Sequence, residues 1–153
     1  MIIEVEKILR EKSIDYKLMK LSRRVVSHED VKKYIKDINP ENDCKTILTK
    51  DKEGNQFAFF LREMMKIDFS KVKKVIGKKI RILSYEELKK STGKKPGEVC
   101  PFLLKNTKIY ADKRVLKRDI IDFGSGKSNF GLQMFTKDLH KVIDFEIVDI
   151  ANE

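Results

Sequence analysis

The chain predicts an α+β fold: one domain on a much-curved mixed sheet, with short helices outside. Three observations carry this. A length of 153 residues suits one domain that buries a core without disulfide or metal. Strand-like apolar runs recur along the chain, and helix-period runs with capping signals fall between them. No repeat, linker or low-complexity segment divides residues 1–153.

In order, Ile2, Val5, Ile8 and Leu9 fall at helical spacing and predict a first helix. Asp15 to Leu21 alternates as a strand. Ser27 with Asp30 resembles a capping box, with Val31, Tyr34 and Ile35 on one face, so a second helix runs to about Lys36 and breaks at Asn39-Pro40. Cys44–Thr49 and Gln56–Leu61 flank Asp51-Lys52-Glu53-Gly54-Asn55, a hairpin signal because glycine supplies a positive φ. A third helix starts at Ser70, turns Val72, Val75 and Ile76 inward and stops at Gly77. Lys79–Leu83 is a short strand, and the Ser84/Glu87 capping box opens a helix ending at Gly93. Thr107–Ala111, Val115–Phe123 and Phe130–Phe135 read as strands. Thr136 caps a short helix through Leu139 and Val142, and Phe145–Ile150 is the last strand.

Net charge is +10, from 34 basic and 24 acidic residues, a balance that favours polyanionic partners and nucleic acid first. The bases cluster as Lys17, Lys20, Arg23 and Arg24; as Lys71, Lys73, Lys74, Lys78, Lys79 and Arg81; and as Lys113, Arg114, Lys117 and Arg118. A solvated lysine surface accounts for such runs equally well. Cys44 and Cys100 stand far apart outside any CxxC pattern, against a disulfide scaffold and a structural zinc site. No apolar run approaches membrane-spanning length and no signal peptide is apparent, so the reading is a soluble cytoplasmic protein without cofactor.

Three pieces carry chemistry. Thr92-Gly93-Lys94-Lys95-Pro96-Gly97-Glu98-Val99-Cys100-Pro101-Phe102 is a stiff loop suited to presenting backbone N–H groups to an anionic or carbonyl oxygen. Lys45 opens a strand, alternating with Ile47 so as to face a pocket, or else guarding a strand edge. Gly124-Ser125-Gly126-Lys127-Ser128 looks like the tail of a phosphate loop, but position 121 is Ile and a strand follows, so it is a small-residue turn. Cys44 with His28 or His140 is a candidate nucleophile and base; a buried structural cysteine and surface histidines explain them better. Neither histidine sits in a ligand-spaced set.

In this order, Cys44-Lys45-Thr46-Ile47-Leu48, Ser91-Thr92-Gly93 running to Pro96-Gly97-Glu98-Val99-Cys100-Pro101-Phe102, and Asp122-Phe123-Gly124-Ser125-Gly126 to Gly131-Leu132 resemble the YbaK/prolyl-tRNA synthetase-associated editing domain family. The match covers residues 44–149 well and the first 43 loosely. It implies a pseudo-barrel and hydrolysis of misacylated tRNA, with Lys45 as the essential side chain and the Gly97 amide approaching the scissile ester. The resemblance further implies that Thr46, Gly93, Pro96, Gly124, Ser125 and Gly126 line the aminoacyl and terminal adenosine site, and which of the last three matches the family's pocket serine stays open. Implied partners are the acceptor end of a mischarged tRNA and a synthetase. Cysteine, alanine and serine on tRNA(Pro) are the usual cargo. Leu21, Glu98 and Gln133 depart from the family pattern, so the amino acid does not transfer. The alternatives are a non-catalytic RNA-binding or synthetase-interacting module on the same fold, and a Cys44-dependent hydrolase of small esters or thioesters.

Overall fold

Residues 2–20 and 39–153 are described by a computed structural model; the expected helix from Ser27 to Lys36, Leu21, and the bases Arg23 and Arg24 lie outside them. Among the described residues ten strands form three sheets. A five-stranded mixed sheet runs β5 (Arg81–Ile82), β2 (Cys44–Lys50), β3 (Gln56–Arg62), β6 (Thr107–Asp112), β9 (Glu146–Val148). A three-stranded antiparallel sheet runs β1 (Tyr16–Lys20), β8 (Phe130–Phe135), β7 (Ile120–Gly124), and β4 (Lys66–Ile67) pairs β10 (Ala151–Asn152). The hairpin β2–β3 is antiparallel, with Lys45 opposite Leu61 and Ile47 opposite Phe59, while β3–β6 and β6–β9 are parallel.

Strand β3 is buried on both faces, which is why Gln56–Arg62 reads as a continuous apolar run rather than an alternating one. Ala58 and Phe60 face a core shared with Cys44, Leu48, Ile121, Phe123 and Leu132, where Phe60 meets Phe123 edge-on at 5.3 Å between centroids. Phe59 and Leu61 face a second cluster with Val72, Tyr110 and Ile150, where Phe59 stacks on Tyr110 at 5.5 Å. The two large sheets thus curl around the first cluster, and the second lies outside the curl.

Among the described residues three helices stand outside the sheets: α1 (Glu4–Glu11), α2 (Phe69–Ile76) and α3 (Tyr85–Thr92). Val5 and Leu9 bury α1, and Val72 buries α2 against the second cluster. Ser84 and Glu87 close the expected capping box on α3, and both α2 and α3 end on left-handed glycines, Gly77 and Gly93.

Several expectations are corrected. Helix α2 is capped by Asp68, whose carboxylate accepts from the N–H groups of Ser70 and Lys71, and Val75 faces solvent. The strand expected over Val115–Phe123 begins only at Ile120, because the Asp112 carboxylate accepts from Arg114 N–H at 3.0 Å and turns the chain into a 3-10 segment anchored by fully buried Val115. Thr136 does not cap; the 3-10 turn Thr136–Lys141 has no side-chain cap at all. The strand expected over Phe145–Ile150 covers only Glu146–Val148, and a further strand follows it, because Asp112 Oδ2 captures Ile150 N–H and sends Ala151–Asn152 to β4.

Candidate active site

The two large sheets meet at one parallel bridge, Asp43 against Asp122. Residues opposite one another across a bridge share a face, and residues two apart on a strand do too. Asp43, Lys45 and Ile47 therefore share one face of β2 with Glu63, Leu61 and Phe59, and Asp122 and Gly124 continue that face onto β7. Cluster membership agrees: Cys44, Leu48, Phe60 and Phe123, of the opposite parity, all lie in the inner core. Lys45 is half-buried, and its Nζ donates to the Glu63 carbonyl at 3.1 Å. Glu63 N–H in turn donates to the Asp43 carbonyl at 2.7 Å, tying the end of the hairpin to the bridge.

The Pro/Gly loop reaches this face at Gly124. Glu98 N–H donates to Lys95 O at 3.0 Å, with Pro96 and Gly97 (φ +87°) between them, the sequence and bond of a type II turn. That closing bond uses the Glu98 amide and not that of Gly97, which is exposed. A Cβ on Gly124 would lie 2.7 Å from Gly97 O and 2.8 Å from Val99 O, so only glycine admits the loop here. Gly126 N–H donates to Glu98 O at 2.8 Å, and the Glu98 carboxylate accepts from Ser128 Oγ at 3.0 Å. The Pro96-Gly97 loop and the Gly124-Ser125-Gly126 turn are thus one assembly.

The remaining expected residues sit differently. Thr46 lies on the inner face with Phe60 opposite it, its hydroxyl buried with no partner among the described residues. Ser125 is 1% exposed, and its hydroxyl is taken up inside its own turn, donating to Phe130 O at 2.8 Å and accepting from Lys127 N–H at 3.2 Å. Gly93 ends α3 and has open space where a Cβ would be. None of these three presents a side-chain donor or acceptor to the face that carries Lys45.

Two residues were missed by the sequence reading: Asp43 and Asp122, which are 8% and 4% exposed. Burial, the Asp122 charge and the Glu63 charge push Asp43 up to about 7. Burial also raises Asp122, opposed by Gln133 in the paired position of β8 and by Lys17 beyond it on β1. The available signal was a carboxylate inside the apolar run Ile120–Phe123.

Burial, with the nearby Asp43 and Asp122 charges, raises the Cys44 thiol well above its ordinary value, and burial pushes Cys100 up to about 12. Neither thiol is poised to ionise. His140 is exposed, and no group of three metal-ligating side chains occurs among the described residues. No helix among them is long and apolar enough to cross a membrane. Parts of the basic runs hold the fold: Arg114 binds Asp112 and Asp149, Lys71 and Lys113 bind Asp149, and Lys78 binds Asp51. Lys73, Lys74 and Lys79 stay exposed.

Comparison with known structures agrees on the fold. A structure described as hypothetical protein APE2540 superposes with a TM-score of 0.89 at 19% identity, covering 98% of this chain and 100% of that one. One described as "a putative trans-editing enzyme for prolyl tRNA synthetase" superposes at 0.81 with 14% identity, covering both chains completely, at 100% each. A "putative signal transduction protein" from Marinobacter aquaeolei matches at 0.75 and 18% identity over 100% of this chain but 31% of its own. No curated protein sequence matches the chain. The family model for the aminoacyl-tRNA editing domain matches residues 23–142, most of the length and every part of the site described above. The chain belongs to the aminoacyl-tRNA editing domain family.

Proposed function

We propose that the protein is a trans-acting deacylase: it hydrolyses the ester joining a wrong amino acid to the 3′ end of a tRNA, in the cytoplasm where tRNA is charged. The observation that carries this reading is the Gly97 turn seated on Gly124, on the sheet face that also bears Lys45. An aminoacyl ester is already activated, so the protein needs no strong nucleophile. Water adds to the ester carbon, the tetrahedral oxyanion collapses, and the ribose hydroxyl leaves with a proton. The amide of Gly97, an exposed residue whose N–H the turn's closing bond does not use, is the backbone donor for that oxyanion, and Lys45 supplies the positive charge, either to it or to the terminal phosphate. Loss of one such donor costs roughly 3–4 kcal/mol. Pro96 stiffens the turn, and Gly124 leaves room for the loop above it.

The high thiol pKa values argue against a Cys44 nucleophile. The acceptor stem is a polyanion, and exposed Lys73 and Lys74 on α2 lie on the Lys45 side of the sheet, because α2 packs on the second cluster. The test is a panel of aminoacyl-tRNAs incubated with wild type and Lys45→Ala while ester loss is followed. One or more mischarged tRNAs are hydrolysed by wild type and spared by the variant. A flat panel with retained tRNA binding favours the non-catalytic module instead, and full turnover by Lys45→Ala removes the mechanism.

A further inference from the structure

We infer that Asp122, with Asp43 behind it, is the receptor for the α-ammonium of the aminoacyl group, making a free amine a condition of recognition. The inference rests on the deacylase reading and names a determinant of substrate choice within the same site. Neither oxygen of Asp122 has a hydrogen-bond partner of normal geometry among the described residues, although the residue is 4% exposed. A buried carboxylate left this way is costly unless a donor completes it. Gln133, opposite on β8, opposes the effect of burial through a side-chain contact outside normal hydrogen-bond geometry, and the exposed Lys17 acts from one strand further.

The position fits an amine. Asp122 is two residues before Gly124 on the same face of β7, so its carboxyl lies next to the point where the Gly97 turn meets the strand. The neighbouring backbone is rich in acceptors, since the Gly97 and Val99 carbonyl oxygens crowd the space over Gly124. Lys45, on the same face, gives one N–H to the Glu63 carbonyl and is not among the groups that offset the burial of Asp122. Burial raises both acids and the Asp122 charge raises Asp43 further, penalties that an adjacent ammonium offsets. In the ester the α-ammonium stands one carbon from the carbonyl that the Gly97 amide is to bind, a spacing that lets one substrate reach both groups.

The probe is 3′-alanylamino-3′-deoxyadenosine, whose amide resists hydrolysis, compared with its Nα-acetyl form by calorimetric titration. Wild type binds the free amine about tenfold or more tightly than the acetylated compound, the worth of one charge-assisted hydrogen bond. Asp122→Asn, of the same shape, loses that preference while melting cooperatively; Asp122→Ser takes its place if it does not fold. Equal binding of the two compounds by wild type, no binding of either, or a preference kept in the folded variant overturns the inference. Ester hydrolysis by the same wild-type sample separates the two readings. Hydrolysis without an amine preference leaves the deacylase and removes the ammonium site, and an amine preference without hydrolysis does the reverse.

Discussion

Gly124 lies directly beneath Gly97: a Cβ at position 124 would come 2.7 Å from the Gly97 carbonyl oxygen, inside any real contact distance. The two glycines serve different ends. Gly97 supplies a backbone angle, φ +87°, that closes a turn around Pro96. Gly124 supplies room, so that this turn docks on β7 with two carbonyl oxygens packed where a side chain would stand.

Gly124→Ala therefore pushes against backbone, which cannot rotate aside. The expected result is displacement of residues 96–99, loss of deacylation by tenfold or more, and destabilisation of about 1–3 kcal/mol. Gly93→Ala is the control. It meets open space but keeps a left-handed backbone at φ +71°, so it costs about 1 kcal/mol and leaves turnover within about twofold. Urea titrations and rates measured on the same preparations separate the two.

If tRNA lies along the Lys45 side of the sheet, Lys73→Ala combined with Lys74→Ala removes two phosphate contacts far from the reacting ester. The expected changes are a raised KM, an unchanged kcat, and a salt dependence of tRNA binding shallower by roughly 1 to 2 in log–log slope. An unchanged slope places the nucleic acid elsewhere.

How much of this was legible follows from the kind of signal each part leaves. The hairpin, the Ser84/Glu87 box and the Gly77 and Gly93 stops were readable because turn and cap chemistry is local. The break before Ile120 was not, since Val115 and Leu116 continue an apolar pattern and only the long-range partners of Asp112 show why the chain turns. In the site, the loop and turn glycines announced themselves by composition. Thr46 and Ser125 were carried along as neighbours in sequence, yet a one-residue step on a strand reverses the face, and a serine inside a tight turn bonds to that turn. Asp43 and Asp122 stand 79 residues apart and become a pair only through the bridge between the sheets.

Cys44→Ser tests the thiol route from the opposite direction. Its sulfur is buried and donates only to the Asn42 carbonyl, at 3.6 Å, in a pocket that raises its pKa. The variant is expected to lose about 1–2 kcal/mol of stability from burying a hydroxyl among apolar groups. Deacylation stays within about twofold of wild type, and iodoacetamide leaves the native enzyme active. Inactivation by either treatment at unchanged folding revives the cysteine mechanism.

Asp43 makes stability depend on pH in a direction opposite to that of most carboxylates. Its folded-state pKa of about 7 lies above the ordinary 3.8, so the native protein binds its proton more tightly than the unfolded chain does. The associated stability is fully present below about pH 4 and is lost as pH rises toward 7, where the unfolded chain has already given up the proton and the folded one must still do so. Raised Asp122 acts in the same direction, and acids held low by partners, such as Asp51 and Asp149, oppose both at the acid end. Asp43→Asn removes the ionisation without changing shape. Its melting temperature is therefore expected to exceed that of wild type at pH 8 by several degrees and to match it near pH 4, because the wild-type carboxyl is then neutral as well. Parallel melting curves for the two proteins from pH 4 to 8 contradict the shared burial of the two acids, whatever the protein's activity.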